Sequence, residues 1–262
     1  MKYRSFLFAV FAFTVLFISC QSGREKANGD KTPAVLSEEK ADSLINLMTL
    51  DEKLNLIHAS SSFTSGGVPR LGIPELVFSD GPHGVRHEHG RGWYALEDAD
   101  DKATYLPVGI CLASTWNKDL GYEYGVVLGN EAKERNKNVL LGPGINIIRS
   151  PLNGRNFEYL SEDPFLTGVM AVGYVKGLQE QGVAACPKHY TANNQETDRH
   201  NIDAIISKRA LHEIYFPAFR AVVQDGNAWS IMGAYNKING QYTTHHQYLN
   251  NVVLKGEWGF DG

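Results

Sequence analysis

The stretch Val183-Ala184-Ala185-Cys186-Pro187-Lys188-His189 reads as a short apolar strand that breaks at Pro187 into a turn carrying two basic side chains. Proline ends a strand because it has no amide hydrogen for the ladder. Other stretches repeat the plan. Leu76-Val77-Phe78 stops at Ser79-Asp80-Gly81-Pro82, Val139-Leu140-Leu141 begins a strand ending around Asn146, and Trp229 to Met232 leads toward Tyr235-Asn236. Helical patterns lie between them. Trp116 to Asn136 has its period set by Trp116, Leu120, Tyr124, Val127 and Leu128. A second helix takes Asp163 as cap and Pro164 at its first position and closes at Gly182. A third follows Ser207, gathers Leu211, Ile214, Tyr215, Ala218, Phe219 and Val222 on one face, kinks at Pro217 and stops at Gly226. Tyr248 to Lys255 is a short one. Strand-then-helix repetition implies a parallel sheet with right-handed crossovers, either open and doubly wound or closed as a barrel. The strand ends decide between them. Each carries polar or turn residues (Asp80, Asn146, Lys188-His189, Tyr235-Asn236), and a barrel gathers all such ends around one pocket. An open sheet would place a glycine-rich phosphate turn at one switch point. The nearest candidate, Gly142-Pro143-Gly144, lacks a third glycine and loses an amide donor at Pro143, which argues against nucleotide binding.

Working outward, two short helices open the body. Ser37 is the expected cap of the first, with Ala41, Leu44, Ile45 and Met48 at helical spacing, and Thr49-Leu50-Asp51-Glu52 is a capping-box pattern for the second. Before them, Lys2 and Arg4 precede thirteen residues from Phe6 to Ile18 that are almost all apolar, the plan of an export signal. That run is short of the roughly 20 residues a membrane-spanning helix needs. Leu16-Phe17-Ile18-Ser19-Cys20 resembles a bacterial lipoprotein processing site, which predicts a lipidated Cys20. The expected location is therefore the outer membrane, facing the periplasm or the cell surface. Residues 1–19 are read as signal peptide and 20–36 as a polar, flexible tether.

With 262 residues, 43% of them hydrophobic, the chain can bury a large core, so disorder is not the default. Its net charge of −4 is spread without a basic stripe, which makes nucleic acid an unlikely partner. Cys111 and Cys186 lie outside any CxxC or Cys/His ligand spacing and are expected as buried free thiols. His83, His87, His89, His245 and His246 sit on loops without carboxylates at ligand spacing, so neither a metal nor any cofactor is expected.

Four stretches carry chemistry. They are Ser79-Asp80-Gly81-Pro82-His83-Gly84-Val85-Arg86, Gly154-Arg155-Asn156-Phe157-Glu158-Tyr159-Leu160-Ser161-Glu162-Asp163-Pro164, Lys188-His189-Tyr190-Thr191-Ala192-Asn193-Asn194-Gln195-Glu196-Thr197-Asp198-Arg199, and Met232-Gly233-Ala234-Tyr235-Asn236-Lys237-Ile238-Asn239-Gly240. Asp80 is an acceptor-only carboxylate, and Lys188 and His189 can donate hydrogen bonds at the end of another strand. Glu158 and Glu162, clustered around Arg155, read instead as a solvated ion-pair loop.

In this order the four stretches resemble glycoside hydrolase family 3, in its β-glucosidase-like branch, over about residues 37–262. The resemblance implies an α/β fold, an incomplete (β/α)8 TIM-like barrel forming the amino-terminal domain of such an enzyme. It also implies a non-reducing-end glucose held by Asp80, Arg155, Lys188, His189, Met232 and Tyr235, with Arg86 and Arg199 near the pocket. The implied reaction is hydrolysis of terminal β-D-glucosyl residues from β-glucosides or oligosaccharides by a retaining mechanism. Such a mechanism needs two carboxyl groups about 5 to 5.5 Å apart. The resemblance places the nucleophilic Asp shortly after Glu257-Trp258-Gly259-Phe260-Asp261-Gly262 and the general-acid Glu in a second α/β sandwich domain. On that reading residues 37–262 stop before the nucleophile strand and are inactive by themselves. Two alternatives stand. One is the β-N-acetylhexosaminidase branch of the same family, against which Tyr190-Thr191-Ala192-Asn193-Asn194 replaces that branch's Gly-His-Gly run; the other is a non-catalytic sugar-binding lipoprotein.

Overall fold

The computed structural model describes residues 33–94, 96–97 and 102–262; the signal sequence and Cys20 lie outside them. The chain divides between Met48 and Thr49. In the first unit, helix α1 spans Pro33–Leu47, so Ser37 lies inside a helix it was expected to cap, and residues 33–36 of the expected tether are helical. Proline explains the earlier start, because its ring presets the helical φ at a position whose amide needs no partner.

The second unit opens with α2 (Leu50–Leu56), whose capping box forms as the sequence predicts. The Glu52 amide donates to the Thr49 hydroxyl at 3.2 Å, and the Thr49 amide donates to the Glu52 carboxylate at 2.9 Å. There follow an antiparallel pair β1 (Ala59–Ser61) and β2 (Thr64–Ser65), then β3 (Phe78–Asp80), α3 (Gly109–Ala113), α4 (Lys118–Glu134) and β4 (Val139–Leu141). Next come α5 (Pro164–Gln179), β5 (Ala184–Ala185), β6 (Lys188–Tyr190), β7 (Asp203–Ala204), α6 (Lys208–Ala210), a π-helical turn at Leu211–Tyr215 and α7 (Pro217–Gln224). The chain closes with β8 (Met232–Gly233), β9 (Lys237–Ile238), β10 (Gln241–Tyr242) and a π-helical segment at Tyr248–Glu257.

Strands β3, β4 and β5 form a parallel sheet in that order, with Phe78 beside Val139 and Val139 beside Ala184. Strand β6 pairs parallel with β8, setting Lys188 beside Met232. A parallel bridge between Gly144 and Lys188 links the two sheets. The result is the parallel, barrel-like sequence of strand ends that the sequence predicts, with three boundaries moved. The first strand starts at Phe78, because Val77 is used in an antiparallel bridge to Thr64, and it runs through Asp80. The second stops at Leu141, ahead of Pro143, well short of Asn146. The third does not end in a turn at Lys188; past Pro187 the backbone re-enters the sheet as β6, where the Met232 amide donates to the Pro187 carbonyl at 3.0 Å. The fourth strand accordingly forms at Met232, while Trp229 is exposed.

Helix α5 starts as predicted, the Asp163 carboxylate accepting from the amides of Phe165 and Leu166 at 3.0 and 3.2 Å. The π-helical turn before Pro217 is the predicted break, and Leu211, Tyr215, Ala218, Phe219 and Val222 are buried while Ile214 is exposed. Helix α4 begins two residues later than Trp116, whose φ of 53° is not helical, and is capped by Asn117. Its packing face also differs from the periodicity: Leu120 and Val127 are exposed, and Gly121, Gly125 and Gly129 face α5. Without side chains, these glycines let the two backbones meet. A methyl on Gly125 would sit 2.2 Å from the Tyr174 carbonyl oxygen, and one on Gly177 would sit 2.0 Å from that of Tyr122. Behind the helices, Leu128, Leu140, Ile145, Leu178, Phe219 and Leu249 are fully buried in one core.

Cys186 is buried and Cys111 is exposed, and both are free thiols; the expectation of burial fails at Cys111 because it lies on the outward side of the short helix α3. Gly177→Ala is expected to destabilise the protein by about 1–3 kcal/mol through overpacking, despite its gain in helix propensity. Val127→Ala, at an exposed position of the partner helix α4, should stay within about 0.5 kcal/mol. Urea unfolding of both variants measures this.

Candidate functional site

Strand β3 delivers Asp80 and strand β6 delivers Lys188 and His189 to the same end of the parallel array. Between them the 154–163 loop brings in Arg155 and Glu158. The Lys188 ammonium, only 2% exposed, lies 2.7 Å from the Asp80 carboxylate and 3.5 Å from that of Glu158. The other oxygen of Glu158 accepts from the Arg155 guanidinium. Two cations and two carboxylates therefore alternate in one chain, Asp80 to Lys188 to Glu158 to Arg155. A buried ammonium is tolerated only when paired in this way, since taking it from water unpaired costs several kcal/mol.

Glu158 is the main correction to the sequence reading. It is 4% exposed and holds both Arg155 and Lys188, so it is a buried anchor of the site, whereas Glu162 is exposed as expected and Asp163 caps α5. An acidic loop around one arginine looks the same in sequence whether solvent or a lysine from another strand completes it. Burial pushes the Asp80 carboxyl up, but the charge and hydrogen bond of Lys188, the Gly81 amide and Arg155 outweigh it and hold the group below its ordinary range.

His189 is fixed from both sides. Its amide donates to the Asn146 side chain at 2.8 Å, the Asn146 amide group returns a bond to its carbonyl at 3.0 Å, and its Nδ1 lies 3.3 Å from the Tyr159 hydroxyl. Burial, reinforced by Arg155, Lys188 and Arg199, drives its pKa well down, so it is a neutral imidazole. From Tyr159 the contacts continue. Tyr159 donates to the Asn193 carbonyl at 3.1 Å, the Asn193 side chain donates to Glu196 at 3.0 Å, and Arg199 donates to Glu196 at 2.8 Å. The Arg199 guanidinium then lies 4.6 Å from the Tyr235 ring centroid, with the His200 ring on Tyr235 at 4.7 Å. Asn146 was read in the sequence only as a strand end, and Tyr159, Asn193 and Glu196 had no assigned role. Their residue types alone carry no signal, because what they do is position others.

Met232 lies beside Lys188 in the ladder, and its side chain packs on Phe63, Val139, Leu141 and Cys186. Arg86 is not joined to the ionic chain: its amide closes the turn onto the Asp80 carbonyl at 3.0 Å, and its guanidinium donates to the Trp93 carbonyl and lies over Phe63. It does line, with Asp80, Arg155 and Glu158, an adjoining cavity of about 500 Å³. Among the described residues no group of three or more His, Cys, Asp or Glu side chains is arranged to hold a metal ion. Nor is any described helix long and apolar enough to cross a membrane.

Residues 28–262 match the glycosyl hydrolase family 3 N terminal domain. A β-glucosidase of Bacteroides ovatus is 52% identical over 96% of this chain and 35% of its own length. An exo-α-(1→6)-L-arabinopyranosidase of Bifidobacterium longum is 45% identical over 87% of this chain and 30% of its own. Among solved structures, β-glucosidase 3B of Thermotoga neapolitana in complex with glucose superposes with a TM-score of 0.77 at 45% identity, covering 86% of this chain and 33% of that one. The chain thus spans about a third of the length of the curated relatives it matches.

Replacing Lys188 by Met removes the charge that keeps Asp80 ionised and leaves the burial, so the Asp80 pKa should rise. In the parent protein the stability owed to that carboxylate is present above its unfolded pKa and is lost as pH falls through the lower, folded one. In Lys188→Met the loss should begin at higher pH, with a cost at neutral pH of about 3–5 kcal/mol for the broken buried pair. Carboxyl carbon NMR titration and urea unfolding as a function of pH report the two effects.

Proposed function

The chain belongs to glycosyl hydrolase family 3, and from that premise we propose that it forms the sugar-binding side of an enzyme that removes β-linked glucose from the non-reducing end of β-glucosides. The observation that carries this reading is the convergence of Asp80, Lys188, Arg155 and His189 at one end of the parallel strands. A carboxylate already ionised by Lys188 is a strong acceptor for two neighbouring hydroxyls, and Lys188 and Arg155 present charged donors to the others. Neutral His189 can accept or donate without adding charge. Tyr235, 41% exposed with the Arg199 guanidinium over its ring, we assign to the reacting centre, where a phenol ring and hydroxyl would stabilise oxocarbenium-like charge. The two carboxyl groups that break the bond, about 5 to 5.5 Å apart in a retaining enzyme, we assign to the longer protein, outside these residues.

The arabinopyranosidase relative suggests a rival substrate, since a pentopyranose also carries ring hydroxyls that could meet Asp80, Lys188 and His189. In the full-length protein, aryl β-glucoside should be cleaved in preference to aryl α-L-arabinopyranoside and aryl β-N-acetylglucosaminide. A preference for either of the others sinks the glucoside reading. Asp80→Asn should lower kcat/KM on the glucoside by about 10- to 150-fold, the worth of a charged hydrogen bond of about 1.5–3 kcal/mol.

Export and lipidation at Cys20 belong to the same proposal. They rest on Lys2 and Arg4, the apolar run from Phe6 to Ile18 and the Leu16-Phe17-Ile18-Ser19-Cys20 stretch. The polypeptide is expected in the membrane fraction of a Gram-negative host, and Cys20→Ser should move it to the soluble fraction or leave it unprocessed, as gel mobility and fractionation will show.

A further inference from the structure

Glu196 binds no sugar in the reading above, yet it stands behind the residue assigned to the reacting centre. One of its carboxylate oxygens accepts from the Asn193 side chain at 3.0 Å and the other from the Arg199 guanidinium at 2.8 Å. Arg199 in turn lies 4.6 Å from the centroid of the Tyr235 ring. Ring, cation and carboxylate therefore touch in that order. The carboxylate is fixed at its far side, because Asn193 is buried and its side chain also donates to the Tyr159 hydroxyl at 3.2 Å. Pairing of this kind recurs around the site: Lys188 meets Asp80 and Glu158, Arg155 meets Glu158, and Arg199 meets Glu196. For Lys188 the reason is burial, since an ammonium only 2% exposed is costly without a counter-charge. Burial does not account for Arg199. Its side chain is 34% exposed, so water can serve it, and an ion pair at that exposure adds little to stability.

The chemistry supplies a different reason. Glycoside cleavage passes through a transition state with oxocarbenium-like positive charge. A guanidinium on the Tyr235 ring opposes that charge in two ways, by repelling it and by drawing on the π electrons with which the ring would stabilise it. We infer that Glu196 is a positioning residue that holds Arg199 against Tyr235 and cancels the guanidinium charge, leaving the Tyr235 ring free to stabilise a cationic transition state. The bound glucoside is uncharged and the transition state is not. Loss of the Glu196 charge therefore acts on kcat and leaves KM, whereas a residue that bound substrate would move KM and one that served only the fold would move stability. The pair is partly exposed, 34% for Arg199 and 24% for Glu196, so solvent screens the effect and a change of about tenfold is expected.

This inference rests on the β-glucoside reading and is tested on the full-length protein with an aryl β-glucoside, folding being followed by thermal melting. Glu196→Gln keeps the shape and removes the charge; kcat should fall about tenfold while KM stays within about twofold. Adding Arg199→Met removes the cation left unbalanced, so the double variant should turn over faster than Glu196→Gln alone, a rescue that lost packing does not produce. Glu196→Asp keeps the charge and should hold kcat within about threefold of the parent; it carries the test by itself if Glu196→Gln does not fold. The role of Glu196 is overturned by an unchanged kcat in Glu196→Gln, by a double variant no faster than the single one, or by a fall of about tenfold or more in Glu196→Asp. Those outcomes, in an active parent, leave the glucoside reading standing. A parent protein that does not cleave the aryl β-glucoside overturns that reading, and this inference falls with it.

Discussion

A lysine ammonium held almost entirely out of water is the constraint on which the rest of this structure depends. At the end of β6, Lys188 is met by two carboxylates from distant parts of the chain, Asp80 from β3 and Glu158 from the loop before α5. Each of those carboxylates is in turn fixed by something else, the Gly81 amide for Asp80 and the Arg155 guanidinium for Glu158. The ionic chain therefore ties together three segments that no local interaction would join. It also holds these groups in fixed orientation and largely out of water, so a ligand that met them would carry less ordering cost.

The barrel strands can bring these ends together because of what happens on their outer face. Helices α4 and α5, which follow β3 and β4, meet through glycines on both, with backbone near backbone. The crossing contributes through dispersion and burial, and a single added methyl meets a carbonyl oxygen that cannot retreat. A second set of buried polar contacts, from Asn146 through His189, Tyr159, Asn193 and Glu196 to Arg199, extends the order of the core out to the half-exposed ring of Tyr235.

Much of this was legible before any coordinates. Proline and glycine punctuation, the caps at Thr49 and Asp163, and polar residues after each apolar run implied a parallel α/β array, and the motifs singled out Asp80, Arg155 and Lys188, which the fold joins in one ionic chain. Errors arose where tertiary partners override local pattern. Trp116 and Leu120 have helical periodicity but face solvent, because the glycine face is the one that α5 fits. Strand β6 continues past Pro187, since its partner is β8 and its pairing does not require the proline's missing amide.

What the sequence determined by itself is the alternation of elements and the chemical inventory of the site, because both are written in short-range patterns: periodicity, caps, turn residues and motif order. What only the tertiary structure decided is which charge meets which. Glu158 and Glu162 sit four residues apart in the same loop with the same side chain, yet one is buried between Arg155 and Lys188 and the other is exposed. The difference lies in the approach of β6, thirty residues away in sequence, and the free energy of a buried charge depends on its neighbours in space.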